Sequence, residues 1–188
     1  MNKQTSEAKK ALLNHGVIAF PTETVMGLGV LYNDFDAYNR LNRVKERPED
    51  KPYTMMVKSR DDINKYAYVD DATQRVIDFF MPGSLTLLLK AKDVVPGFVT
   101  HNTGVIGIRI PTNKEAVELL NEVGEPLLVP SANKSGQKPA LNSDEAKLIF
   151  GNEIDTYIEG TCLGEVPSTI VDLTKNEPFL IRKGPISF

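Results

Sequence analysis

Short apolar runs are spread along this chain between segments of helical period, and this alternation constrains the fold more than any other feature. The runs GVIAFP, YTMMV, SLTLLLKA, VIGIRIP, PLLVP, DTYIE, STIVDL and PFLIR each read as a strand. The intervening segments read as helices. TSEAKKALLN starts at a Thr5 or Ser6 cap, and NKEAVELLNEV has an Asn113 cap with Gly124 behind it. DFDAYNRLNRVKE sets Phe35, Tyr38, Leu41 and Val44 on one stripe. DATQRVIDFF is stopped by Pro82 and Gly83, and SDEAKLIF is a short helix. Strands outnumber helices late in the chain. The pattern predicts an α/β fold, a mixed sheet covered by helices rather than a strict βαβ repeat. Parallel crossovers are expected in the N-terminal half and antiparallel hairpins in the C-terminal half.

The 188 residues suit one domain, taken as 1–188. A chain of this length buries roughly two-thirds of its unfolded surface, so neither disulfide nor metal is needed to fold it. Its single cysteine, Cys162, has no internal partner, which fits a reducing compartment. The N-terminal stretch lacks the apolar core of a signal peptide, and no run approaches the roughly 20 residues that span a bilayer. A cytoplasmic location is expected, with no membrane partner. The net charge of −3 argues against general, salt-driven nucleic-acid binding. With two histidines and one cysteine, a transition-metal site is not expected.

Five polar islands interrupt the apolar pattern. PTETVMGLG (residues 21–29) combines the hydroxyls of Thr22 and Thr24 with glycines that would let a ligand approach the backbone, or is an ordinary turn after a strand. KERPEDKP (45–52) would converge Lys45, Arg47 and Lys51 on phosphate, or is a solvated helix end whose cations suit the dipole. In GIRIP (107–111), Arg109 sits inside an apolar strand; it points outward, meets a substrate carboxylate, or pairs with Glu23. In PSANKSG (130–136), Ser131 and Asn133 bond a ligand or cap their own turn. In the last island Ser168 opens one strand and Arg182 closes the next, and the two ends are expected on opposite sides of the hairpin. The chain contains no GxxxxGK[ST] loop, GxGxxG fingerprint or GxSxG elbow. Cys162, His15 and His101 show neither catalytic nor ligand spacing.

In order along the chain, GVIAFPTETVMGLG, KERPEDKP, MPGSLTLLL, GIRIP, PSANKSG, PSTIVDLT and IRKG resemble the YrdC-type family of L-threonylcarbamoyl-AMP synthases, in the short, TsaC-like form. The resemblance runs from about Gly16 to Pro185. It implies a twisted sheet with a largely parallel core and a concave basic cavity. It further implies synthesis of threonylcarbamoyl-AMP and pyrophosphate from L-threonine, bicarbonate and ATP, a nucleotidyl transfer serving the t6A modification of tRNA. By motif position Lys45, Arg47, Lys51, Asn133 and Arg182 resemble the ATP contacts. Thr24, Arg109, Ser131 and Ser168 resemble the threonine contacts. Mg²⁺ is expected to accompany ATP, and the product is expected to pass to the tRNA threonylcarbamoyl-transfer machinery. Two positions depart from the family pattern: Met26 stands where an aromatic residue is usual, and Met56 where many members carry histidine.

The implied chemistry needs no protein nucleophile. Threonine's amine and bicarbonate give an N-carboxy species, whose carboxylate attacks the α-phosphorus of ATP. Catalysis then rests on positioning and on phosphate charge neutralisation, which suits islands rich in Lys, Arg, Ser, Thr and Asn. Weak tRNA binding is a further expectation. Two alternatives are an RNA-binding module without synthetic activity, whose concave basic face would accept RNA, and a paralogue running other carbamoyl chemistry without threonine dependence.

Overall fold

The computed structural model describes residues 2–46, 52–175 and 177–188. Its elements are α1 (Lys3–Leu13), β1 (Ile18–Phe20), β2 (Gly27–Leu31), α2 (Phe35–Lys45), β3 (Thr54–Met56), α3 (Arg60–Tyr66), α4 (Asp71–Phe80), β4 (Leu85–Lys90), α5 (Gly97–Thr100), β5 (Val105–Arg109), α6 (Lys114–Val123), β6 (Leu127–Leu128), α7 (Ser143–Phe150), β7 (Thr156–Tyr157), β8 (Thr169–Asp172) and β9 (Phe179–Arg182). The strands form one sheet in the order β7-β1-β2-β6-β3-β5-β4-β8-β9. It is mixed, as the alternating pattern predicts. Its core is not largely parallel: only β1–β7, β3–β5 and β4–β8 run parallel among the described strands. The other five neighbour pairs are antiparallel: β1–β2 and β8–β9 are hairpins of consecutive strands, β4 and β5 are joined through only the four-residue α5, and β6 runs opposite to both β2 and β3.

Alternation along the strands divides the core between two faces. Ile18, Phe20, Met56 and Leu127 turn to one face, where Ala8 and Leu12 of α1 and Leu119 and Leu120 of α6 cover them. Val17, Ala19, Met55 and Leu128 turn to the other, with Leu41 of α2, Ile77 of α4 and Phe150 of α7. Each of these Val, Leu, Ile, Phe and Met side chains, fully buried, contributes about 1.5–3 kcal/mol. Along α2, Tyr38, Leu41 and Val44 are buried as the stripe requires. Phe35, the first member, stays 54% exposed and packs its ring edge against Phe98. Asn113 caps α6 and Gly124 ends it with φ at 83°. Helix α1 starts earlier than expected: Asn2 is its cap, accepting from the Gln4 N–H, while Thr5 is buried within the helix.

Two departures from the sequence pattern bear on the polar islands. The island after β1 is a turn followed by β2, whose glycines serve packing. A Cβ at Gly29 would lie 2.9 Å from the Phe20 ring, and one at Gly27 would lie 2.7 Å from Val129. The last hairpin corrects the expectation for Ser168 and Arg182. In an antiparallel pair the start of the first strand lies beside the end of the second, and here Ile170 faces Arg182.

Thr169 secures that end. Fully buried, it accepts the N–H groups of Gly184 and Ile186 at 3.1 and 3.0 Å and donates to the Ile186 carbonyl at 2.9 Å. Thr169→Val keeps the shape and removes all three bonds. The expected outcome is a loss of roughly 1–3 kcal/mol in denaturant unfolding, with Thr169→Ser close to the parent.

Candidate functional site

A turn of backbone holds the first island in place. Thr22 Oγ accepts the Thr24 N–H at 3.1 Å and donates to the Val25 carbonyl at 2.7 Å. With its proton committed there, Thr22 accepts from Thr24 Oγ at 3.0 Å. Thr24 therefore presents lone pairs, and one of them accepts from Arg109 Nη2 at 2.9 Å. Gly164 closes against this turn, since a Cβ there would lie 2.7 Å from the Thr24 carbonyl.

Arg109 ends β5 and is 6% exposed. Of the three placements compatible with the sequence, the structure shows the pairing with Glu23. Glu23 accepts from both Nε and Nη2 of Arg109 through one oxygen. Its other oxygen accepts the N–H groups of Thr112 and Asn113, at 3.1 and 3.2 Å, where α6 begins. Burial pushes the Glu23 carboxyl up, but the Arg109 charge and the hydrogen bonds outweigh it and hold the group below its ordinary value of 4.5.

The PSANKSG segment is fixed from both sides. Backbone bonds tie it to the first turn, from Ala132 N–H to the Met26 carbonyl and from Leu28 N–H to the Pro130 carbonyl. Lys45, 1% exposed, donates its ammonium to the carbonyls of Ser131 and Asn133 at 2.6 and 2.7 Å. Ser131 Oγ donates to Asn133 Oδ1 at 2.6 Å, and Asn133 Nδ2 donates to the carbonyls of Lys134 and Gln137. Lys134 anchors the outer side on Glu153.

Ser168 Oγ bonds Thr86 Oγ at 2.8 Å and accepts from Arg182 Nη2 at 3.2 Å, while Arg182 Nε donates to the Ser168 carbonyl at 2.9 Å. Arg182 is held below its ordinary guanidinium value, first by partial burial and then by the Arg109 charge. It remains a cation at neutral pH. With Arg109 paired to Glu23, the Arg182 guanidinium is the charge in excess beside this opening, and it favours an anion there.

Thr24, Arg109, Ser131, Ser168 and Arg182 all line one cavity of about 150 Å³. Met26 and Met56, both fully buried, form part of its wall. Lys45 and Asn133 stand behind the loop that carries Ser131. Arg47 and Lys51 lie outside the described residues. Sequence pattern alone misses Thr86, although a polar residue within SLTLLLK is a signal of its kind. It points to Glu23 only as a partner for Arg109, since the grip on α6 has no local sequence signature. Among the described residues no group of three or more His, Cys, Asp or Glu could hold a metal, and both oxygens of Glu23 are committed. The described residues lining the cavity include no carboxylate to hold Mg²⁺.

Replacing Glu23 by Gln leaves a buried guanidinium without its counter-charge, a change worth roughly 3 kcal/mol or more. The carboxyl has a lowered pKa in the folded chain, so its contribution is complete above pH 4.5 and fades as the pH falls through the lowered value. Urea unfolding of the parent and Glu23→Gln should show a constant gap from pH 7 down to about 5, narrowing below it. A gap that stays constant into strong acid would show that the charge does not stabilise the fold.

The Sua5/YciO/YrdC family model, described as telomere recombination, matches residues 10–184. The crystal structure of Escherichia coli YciO superimposes with a TM-score of 0.90 at 30% identity, covering 96% of this chain and 89% of that one. A crystal structure of Pyrococcus abyssi Sua5 complexed with L-threonine gives 0.88 at 31% identity, over 95% of this chain and 53% of the longer Sua5 chain. A putative threonylcarbamoyl-AMP synthase from Methanocaldococcus jannaschii is 34% identical over 179 residues, covering 95% of this chain and 84% of its own. Every strand of the sheet falls inside the matched range, and the chain belongs to the Sua5/YciO/YrdC family.

Proposed function

We propose that this protein is an L-threonylcarbamoyladenylate synthase, joining L-threonine, bicarbonate and ATP and releasing pyrophosphate, and that it serves the t6A modification of tRNA. The observation that carries this reading is the meeting of Thr24, Arg109, Ser131, Ser168 and Arg182, drawn from four separate islands, in one small cavity. Relatives named threonylcarbamoyl-AMP synthase, and a threonine complex of Sua5, support it.

In this reading threonine's amine and bicarbonate form a carbamate with loss of water. A carbamate oxygen bonds the α-phosphorus, and the bond to pyrophosphate breaks. The described lining residues include neither cysteine nor histidine, so the side chains work by holding charge and orientation. Arg109 takes threonine's α-carboxylate through Nη1, the nitrogen that Glu23 and Thr24 leave open. Thr24, whose proton is already donated, accepts from the substrate hydroxyl or ammonium. Ser131 and Ser168 complete the polar wall. Arg182 takes the nucleotide, with Lys45 and Asn133 keeping the loop that carries Ser131 in place; Arg47 and Lys51 are proposed to join Arg182 on phosphate. Mg²⁺ arrives with ATP. The product would pass to a tRNA threonylcarbamoyl-transfer partner.

Pyrophosphate release should require threonine, bicarbonate and ATP together; full-rate release with any one omitted would sink the proposal. A site that bonds a hydroxyl rejects the analogue lacking it, whereas a methyl group is worth only roughly 1–3 kcal/mol. Comparing kcat/KM, threonine should exceed serine modestly and valine strongly. The adaptable wall of Met26 and Met56 softens the serine difference. Arg109→Lys should raise KM for threonine roughly tenfold or more, since lysine cannot keep the planar fork shared with Glu23 and Thr24.

A further inference from the structure

Three of Arg109's five N–H groups are spoken for. Nε–H goes to Glu23 and, at 3.3 Å, toward the Gly83 carbonyl; the two on Nη2 go to Glu23 and Thr24. Only Nη1 has no hydrogen bond to a described residue. Arg182 lines the same cavity and makes no ion pair with any described residue; it bonds the carbonyl and hydroxyl of Ser168. The cavity therefore has one arginine whose charge is already balanced and one whose charge is not.

We propose that Glu23 sorts the anionic groups of the substrates: by balancing Arg109 it restricts that end of the cavity to a monocarboxylate and directs phosphate to Arg182. The proposal rests on the synthase reading above. A carboxylate reaching Nη1 brings one negative charge near Glu23, and a guanidinium stands between the two. A triphosphate brings several negative charges and more oxygens than one nitrogen can serve. At Arg182 neither objection holds. Glu23 acts through Arg109 and is a positioning residue; its fixed grip on Thr112 and Asn113 keeps it from turning aside. Without such sorting, either substrate could occupy the other's end and leave the amine remote from the α-phosphorus.

The test uses the full chain, calorimetry, and L-threonine and sodium sulfate as probes, with sodium chloride as the ionic-strength control. In the parent, sulfate and threonine should bind together, and threonine's Kd should stay within about twofold at saturating sulfate. In Glu23→Gln, sulfate should displace threonine, raising its apparent Kd roughly tenfold when sulfate stands at ten times its own Kd. Arg182→Gln should lose sulfate and keep threonine, and adding Glu23→Gln to it should restore sulfate binding at Arg109. Direct competition in the parent overturns the proposal, as does sulfate binding undiminished in Arg182→Gln. Either of these two results overturns the proposal even if Glu23→Gln does not fold. If the parent binds no threonine, the synthase reading fails separately, and the loss and return of sulfate across the two variants still reports on sorting.

Discussion

One buried ion pair ties together the parts of this fold that form the cavity. Glu23 belongs to the turn after β1, Arg109 to the end of β5, and the Thr112 and Asn113 N–H groups to the start of α6. The turn that carries Glu23 is distant in sequence from the other two, and strand pairing alone does not bring it to them, because β1 and β5 are not neighbours in the sheet. Taking two charges out of water is costly, and their attraction offsets the cost only when the remaining hydrogen-bonding positions are filled. Here the second carboxylate oxygen is filled by the backbone N–H groups of Thr112 and of the α6 cap residue Asn113. The pair therefore sets where a helix begins as well as where a guanidinium points.

A second buried cation, Lys45, does a related task with different partners. Its ammonium meets the carbonyls of Ser131 and Asn133, and the Ser135 N–H bonds back to the Lys45 carbonyl at 2.8 Å. The end of α2 and the loop after β6 thus hold each other. Helix α2 is itself fixed by Tyr38, Leu41 and Val44 in the core. The position of Ser131 at the cavity wall is in this way a consequence of an apolar stripe on a helix that ends 86 residues earlier, at Lys45.

Elements with strong periodicity are legible in the sequence. Helices α2, α4, α6 and α7 lie where stripe and cap place them, and the apolar runs mark most strands. What the sequence hides is non-local. Strand β2 is written GLGVL, and its glycines resemble a flexible loop until Phe20 and Val129 are seen filling the space above them. Strand direction differs from expectation because it depends on which runs become neighbours, a property of the whole sheet. The site islands are visible as polar interruptions of apolar pattern, but their convergence is not. Ser168 and Arg182 meet through hairpin register, and Glu23 finds Arg109 across the sheet. Thr86 gains significance only with Ser168 beside it.

The cavity's two arginines sit on very different ground. Arg109 ends a central strand flanked by β3 and β4, whereas Arg182 ends β9, the outermost strand, whose four residues are all exposed. An edge strand is held by one neighbour only, and local opening is least costly where few apolar contacts must be given up. Rigidity is therefore shared unequally across one small opening. The Arg182 wall is held instead by hydrogen bonds, from Arg182 to Ser168 and from Gly184 and Ile186 to the buried Thr169.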